Sequence, residues 1–240
     1  MSGFVDIEKQ NSAWVLTLNR PEKRNALNAE MVEQLMGAID EAEVNKVDLL
    51  VLRGHGKNFC AGFDFTDFEQ SSEGDLLWRF VRIEQLLQRI YSSTAMTVAC
   101  AHGANFGAGV DLLVACKHRV ASADASFRMP GLKFGLVLGT RRLASLIGAQ
   151  KAREIQQVAQ TLDAANAQSV GLVQEIAEPA SWADVIERQQ RAARSLCAEA
   201  RVALYQAVTQ ASDDEDLSTL VRSVVHPGLK QRIARYRAGE

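Results

Sequence analysis

Two stretches of the chain are built from residues that leave main-chain N–H groups open to a ligand. One is Asn58-Phe59-Cys60-Ala61-Gly62-Phe63-Asp64, and the other runs from His102-Gly103-Ala104-Asn105-Phe106-Gly107-Ala108-Gly109 to Val110-Asp111. A helix opening straight after the second stretch would add roughly half a positive charge at its N-terminus. Together the two turns could hold an anion. Asp111 falls in the first turn of that helix. There an acid is favoured by the exposed N–H groups and the dipole of the helix.

Other chemistries lack their residues. Gly103, Gly107 and Gly109 do not make the dinucleotide fingerprint G-x-G-x-x-G, and neither a G-x-x-x-x-G-K-S/T loop nor a G-x-S-x-G elbow occurs. His55, His102, His118 and His226 are scattered, and Cys60, Cys100, Cys116 and Cys197 lie far apart. No metal, disulfide framework or separate cofactor is expected, and the cysteines read as reduced, mostly buried thiols. Twenty-seven Lys and Arg against 29 Asp and Glu leave a net charge of -2, with no global field for a polyanion, so no nucleic acid partner is expected. The most apolar stretch, Ala95 to Cys116, is interrupted by His102 and Asp111, and Met1 to Glu8 shows no targeting pattern. A cytoplasmic protein with no membrane partner is the expectation.

The positioning elements alternate. Phe4–Lys9 and Ala13–Leu18 read as a hairpin turning at Gln10, Asn11 and Ser12. Asn28 should cap a helix with its stripe at Met31, Leu35, Ile39 and Ala42. Leu49–Leu52 reads as a buried strand, Asp75–Tyr91 as a helix, and Thr97–Ala101 as the strand before the second glycine turn. This strand–helix rhythm predicts an α/β fold with a mainly parallel sheet and active groups at the strands' carboxyl ends. After Val173–Ile176 only helical periodicity remains, which places a boundary near Pro179, with residues 1–178 as the core and 179–240 as a helical region. The acidic run Asp213–Asp216 reads as a solvated turn or a helix start.

Five segments taken in order resemble the enoyl-CoA hydratase/isomerase (crotonase) superfamily: Asn19-Arg20-Pro21-Glu22-Lys23-Arg24-Asn25-Ala26-Leu27-Asn28, Phe59–Asp64, His102–Asp111, Gly139-Thr140-Arg141-Arg142-Leu143 and Ala167–Val173. The resemblance implies a crotonase-like ββα spiral core and a C-terminal helical trimerisation region, assembling as a homotrimer or hexamer. It implies an acyl-CoA thioester as substrate, so that coenzyme A enters only as part of the substrate. It also implies that the N–H groups of Phe63 and Ala108 form the oxyanion hole, with Ala108 where the family usually has Gly. Arg24, Ala26, Ala61 and Asp64 fall at substrate-binding positions, Asp64 reading more readily as a helix cap.

The resemblance also locates two departures. A typical hydratase of the family handles water with two glutamates; here those positions carry Asp111 and Gly131, so the second carboxylate is absent. The segment Lys133–Arg142 is shorter than usual by about three residues, which predicts a remodelled acyl pocket. Asp111 therefore stands as the single acid/base of an isomerase, an atypical hydratase or a thioester hydrolase, and the alternative is a non-catalytic acyl-CoA-binding homologue. Similarity to 4-chlorobenzoyl-CoA dehalogenases at Phe59–Phe63 and Ser223–Pro227 is offset because no Asp lies in Phe134–Arg141. His102 reads as a satisfied buried histidine rather than an acid or base. RNA binding ranks last, because Trp182–Glu240 balances nine basic against eight acidic residues.

Overall fold

In the computed structural model, which describes residues 3–10, 12–209 and 212–239, β1 (Val5–Gln10) and β2 (Ala13–Leu18) pair as the expected antiparallel hairpin. Asn11 of its turn, like Glu240 at the end of the helical region, lies outside the described residues. Helix α1 (Ala29–Val44) is capped by Asn28, whose side chain accepts the Met31 N–H at 2.9 Å, and it buries Met31, Leu35, Ile39 and Ala42. Strand β3 (Leu49–Gly54) leads to α2 (Glu73–Ser92), which starts two residues before the expected Asp75. The reason is local: Ser72 and Asp75 form a reciprocal capping box, so Asp75 is the third helical residue and not the first.

The chain continues through β4 (Met96–Ala101), β5 (Ala104–Phe106), α3 (Ala108–Ala115), β6 (His118–Ala121), β7 (Ser126–Arg128), α4 (Thr140–Ile147), α5 (Ala149–Val158), β8 (Thr161–Asp163), α6 (Ala164–Ser169) and β9 (Glu175–Ile176). Six strands form one sheet in the order β1-β2-β3-β4-β6-β9, parallel from β2 onward. A second sheet, β5-β7-β8, has no counterpart in the sequence reading, because strands of three residues are too short to show a period.

The unbroken apolar run in β3 follows from burial on both faces. Leu50 and Leu52 point into the main core with α1 and α2. Leu49 and Val51 join Val98, Cys100 and Val120 on the opposite face, beneath Trp182 and Val185 of α7 (Trp182–Arg194). After α7 come α8 (Ala198–Val208), α9 (Asp213–Val224) and α10 (Leu229–Ala238).

The main core crosses the Pro179 boundary, since Leu220 and Val224 of α9 and Leu229 and Ile233 of α10 are buried within it. Only α8 stands off, with Leu204 46% and Val208 69% exposed. Among the described residues no helix is long and apolar enough to cross a membrane, and no group of His, Cys, Asp and Glu could hold a metal ion. Cys60, Cys100 and Cys116 are buried free thiols with their pKa raised by burial to about 12, whereas Cys197 is exposed.

Candidate active site

The loop after β3 and the turn before α3 interlock through two glycines. A Cβ on Gly62, which has φ +83°, would lie 2.3 Å from the Phe106 carbonyl oxygen and 3.3 Å from the Ala108 nitrogen. On Gly109 it would lie 2.2 Å from the Cys60 carbonyl oxygen. Neither contact leaves room for a methyl group, so glycine is what lets the backbones touch. Buried asparagines hold the arrangement. Asn105 accepts the Cys60 N–H at 3.2 Å and donates to Gly103 O at 2.9 Å, while Asn25 donates to the carbonyls of His55 and Asn58.

This interlock brings the residue after Gly62 and the first residue of α3 to one place. Among the described hydrogen bonds, neither the Phe63 nor the Ala108 N–H donates to a protein acceptor: the bridge between Leu27 and Phe63 uses Gly62 O and the Asp64 N–H instead. The non-glycine residues with left-handed backbone are Arg24, Asn25, Lys46 and Ala159, so the methyl of Ala108 brings no strain. Both residues line a cavity of about 520 Å³.

The cavity wall places most of the sequence-derived candidates together. Arg24, Ala26, Ala61, Phe63, Ala108 and Asp111 all line it, and so does Gly131. Arg24 is exposed at the rim, held in the left-handed region while its carbonyl accepts the Ala61 N–H at 2.9 Å. Among the described residues its guanidinium has no ion-pair or hydrogen-bond partner, which suits it to a phosphate.

Asp64 is different. It does not line the cavity: its carboxylate takes Arg20 Nη1 at 2.5 Å together with the Thr66 N–H at 2.9 Å and hydroxyl at 2.6 Å. Burial works against its charge, but Thr66 and Arg20 prevail and hold the carboxyl below its ordinary value. The cap-like reading of Asp64 therefore fits the geometry, and its expected place in substrate binding does not, because both oxygens are engaged within the chain. His102 also stays outside, its Nε2 against the Gly56 carbonyl at 2.9 Å and its Nδ1 buried without a partner.

Among the described residues Asp111 is the only carboxylate on the cavity wall, and its residue is 4% exposed. Among the described hydrogen bonds, no N–H of α3 donates to its side chain, although it lies in the first turn of that helix. Oδ1 is buried with no partner, and burial lifts its carboxyl well above the ordinary Asp value; Arg142 pulls the other way and Glu84 adds to the rise. On the wall of the same cavity, Gly131 starts a turn closed by the Leu136 N–H on the Gly131 carbonyl at 2.9 Å, and a Cβ there would meet Leu136 O at 3.1 Å. The segment Lys133–Arg142 supplies Phe134, Leu136, Leu138 and Thr140 to the wall.

Phe65, Phe80, Tyr236 and Arg237 of the lining had no signal in the sequence. Phe80, Phe63, Phe65, Phe134 and Tyr236 form a continuous series of ring contacts, with successive centroids 4.4, 4.8, 6.4 and 5.2 Å apart. Tyr236 and Arg237 come from α10, docked by Arg232 Nε on Phe134 O at 2.9 Å. Periodicity can show that α10 is a helix, but not that its last turn reaches a loop a hundred residues earlier.

Comparison with known proteins identifies the family of this α/β core, whose paired glycine turns open on a cavity with a buried acid. The enoyl-CoA hydratase/isomerase family model matches residues 8–224, and the chain belongs to that family. A probable enoyl-CoA hydratase of Mycobacterium bovis is 34% identical over 191 residues, covering 77% of this chain and 76% of that protein. The mitochondrial Delta(3,5)-Delta(2,4)-dienoyl-CoA isomerase of Dictyostelium discoideum is 30% identical over 190 residues, covering 72% and 65%. A crystal structure from Bordetella parapertussis, carrying the name enoyl-CoA hydratase/isomerase, superposes with TM-score 0.97 at 51% identity over 99% of both chains. The crotonase fold expected from the motifs is thus the fold observed.

Proposed function

We propose that the protein binds an acyl-CoA thioester, holds the thioester oxygen with the N–H groups of Phe63 and Ala108, and moves a proton with Asp111 alone. The observation that supports this best is the convergence of two unpartnered N–H groups and one buried carboxyl on the same cavity. Removing an α-proton drives negative charge onto the thioester oxygen, and two preorganised donors, one in the loop after β3 and one at the start of α3, stabilise that enolate. A single carboxyl is enough for isomerisation: Asp111 takes a proton from one carbon, the double bond shifts through the enolate, and the same proton returns to another carbon. Hydration needs a second group to activate water, and Gly131 offers none. Arg24, with Ala26 and Ala61 beside it, would meet the nucleotide end.

Binding should be measurable before any reaction is known. Calorimetry with a panel of acyl-CoAs should show saturation at or below the millimolar range, about 4 kcal/mol or better, and no saturation with any of them would remove the reading. Binding without conversion of any substrate would instead favour the non-catalytic homologue, for which the missing carboxylate at Gly131 speaks.

Hydration of crotonyl-CoA should be slower than in a two-glutamate hydratase by at least about a hundredfold, the scale of a lost acid/base partner. Spectrophotometric loss of the enoyl chromophore measures it, and hydration at the full rate would show that another group activates water.

We also propose assembly into a homotrimer or hexamer through the C-terminal helices. Leu196, Leu204 and Val208 are exposed, and a pocket between α8 and the core has Val208, Tyr205 and Met96 on its walls. Light scattering at micromolar concentration should give a multiple of 26.3 kDa, and a monomer would refute it.

A further inference from the structure

Behind the cavity, three charged side chains from three helices meet where Asp111 is anchored. Arg142 of α4 is 4% exposed and donates through Nη1 and Nη2 to Glu84 of α2, and through Nη1 to Asp216 of α9 at 3.0 Å. Asp216 also takes Arg141 Nε at 2.9 Å, and Arg141 reaches Glu215 at 3.0 Å. So Asp216, in the run read from sequence as a solvated turn or a helix start, lies in the first turn of α9 and turns its side chain inward, where the positive potential of Arg142 draws the carboxylate. Gln88 donates to Glu84 from the next turn of α2, and the Tyr91 ring lies 5.8 Å from the guanidinium.

Two polar atoms remain without partners in this region, and they are complementary in type. Arg142 Nε is a buried donor and Asp111 Oδ1 a buried acceptor. The same element presents both Arg142 and the surface that Asp111 leans on: Gly139, the residue before α4, is in the left-handed region at φ +62°, and a Cβ there would lie 2.0 Å from Oδ1. Asp111 thus faces the N-terminal end of α4, with Arg142 in its first turn. Both favour a negative charge on it, while its dry surroundings oppose one.

We propose that Glu84, Arg142 and Asp216 are positioning residues for Asp111, forming a buried charge cluster whose state sets how readily Asp111 gains and loses its proton. Arg142 provides the attraction, and the two carboxylates that clamp it also neutralise it. Burial raises Glu84 to about 7, against the pull of Arg142 and with the push of Asp216. When Glu84 takes up a proton, Arg142 is left with one carboxylate instead of two and its field at Asp111 strengthens. The two acids are therefore coupled through one cation, and each titrates in a way that depends on the other. This rests on the reading of Asp111 as the acid/base only for its consequence, not for its existence.

The experiment follows the carboxyl-carbon resonances of protein labelled at Asp and Glu side chains through a pH titration. Loss in Asp111→Asn assigns the Asp111 signal, and loss in Glu84→Gln assigns Glu84. In the unmodified protein, the Asp111 signal should show a second inflection at the midpoint of Glu84. In Glu84→Gln, and in the more solvated Asp216→Asn should the first not fold, the Asp111 midpoint should fall by about one pH unit, as Coulomb energies over several ångströms predict. A purely structural role would leave the midpoint in place. An Asp111 signal with a single inflection, or an unmoved midpoint in a folded variant, would overturn the proposal. Turnover is a separate readout: coupling with an Asp111 that turnover does not need would refute the acid/base reading and leave the cluster's role standing.

Discussion

Asp111→Asn should lower turnover of any acyl-CoA that the protein converts by about 100-fold or more, with binding almost unchanged. The side chains are nearly the same size, and Asp111 caps no helix N–H, so Asn removes the ionisable group and little else. Stability separates the readings further. Burial raises the Asp111 carboxyl, so in the folded state it binds its proton more tightly than in the unfolded chain. The cost of that group is therefore absent below its unfolded pKa and grows as pH rises toward its folded value. A neutral Asn carries no such cost, and its melting temperature should gain on that of the unmodified protein as pH rises. Steady-state kinetics, calorimetry and melts at several pH values provide the check, and unchanged turnover would move the chemistry away from Asp111 to the oxyanion donors.

The second large effect should come from a methyl group. In an ordinary helix, Gly→Ala is favourable by about 1 kcal/mol. At Gly109 the added carbon would meet the Cys60 carbonyl at 2.2 Å, a backbone atom that cannot swing aside. The loop carrying Gly62 and Phe63 must then retreat from α3, separating the two N–H groups that share the cavity. Gly109→Ala should cost about 10² to 10³ in turnover, the scale of losing one such donor, and lower the melting temperature. Gly37→Ala in α1 is the control: nothing lies within 4 Å of its added Cβ, so it should be neutral or stabilising. Equal effects of the two substitutions would show that the interlock of the loops is not what turnover depends on.

Much of the α/β frame could be read from local pattern, because the forces that set it are local or periodic. The stripe of α1, its Asn28 cap and the apolar run of β3 each record which faces are buried. The glycine turns were legible because backbone approaching backbone excludes side chains, and glycine leaves that mark in the sequence. Asp111 was visible as a type at a position, but two readings of it stayed open, since a first-turn acid is favoured by the helix whether or not it does chemistry.

Only the packed structure leaves Oδ1 buried and unpartnered on the cavity wall, which supports the acid/base reading proposed above. It likewise turned Asp64 toward Arg20 and Thr66, and Asp216 toward Arg142. A carboxylate's partner is chosen by what lies nearby in three dimensions, and Arg20 is 44 residues from Asp64 and Arg142 is 74 from Asp216. The aromatic wall and the reach of α10 over Phe134 have the same origin. Pattern along the chain was enough for the hairpin, for α1, β3, α2 and β4, and for the bare turns and the place of Asp111, because those depend on near neighbours. Tertiary structure decided the partners and the cavity, because charge and apolar surface are matched across distances that no local period records.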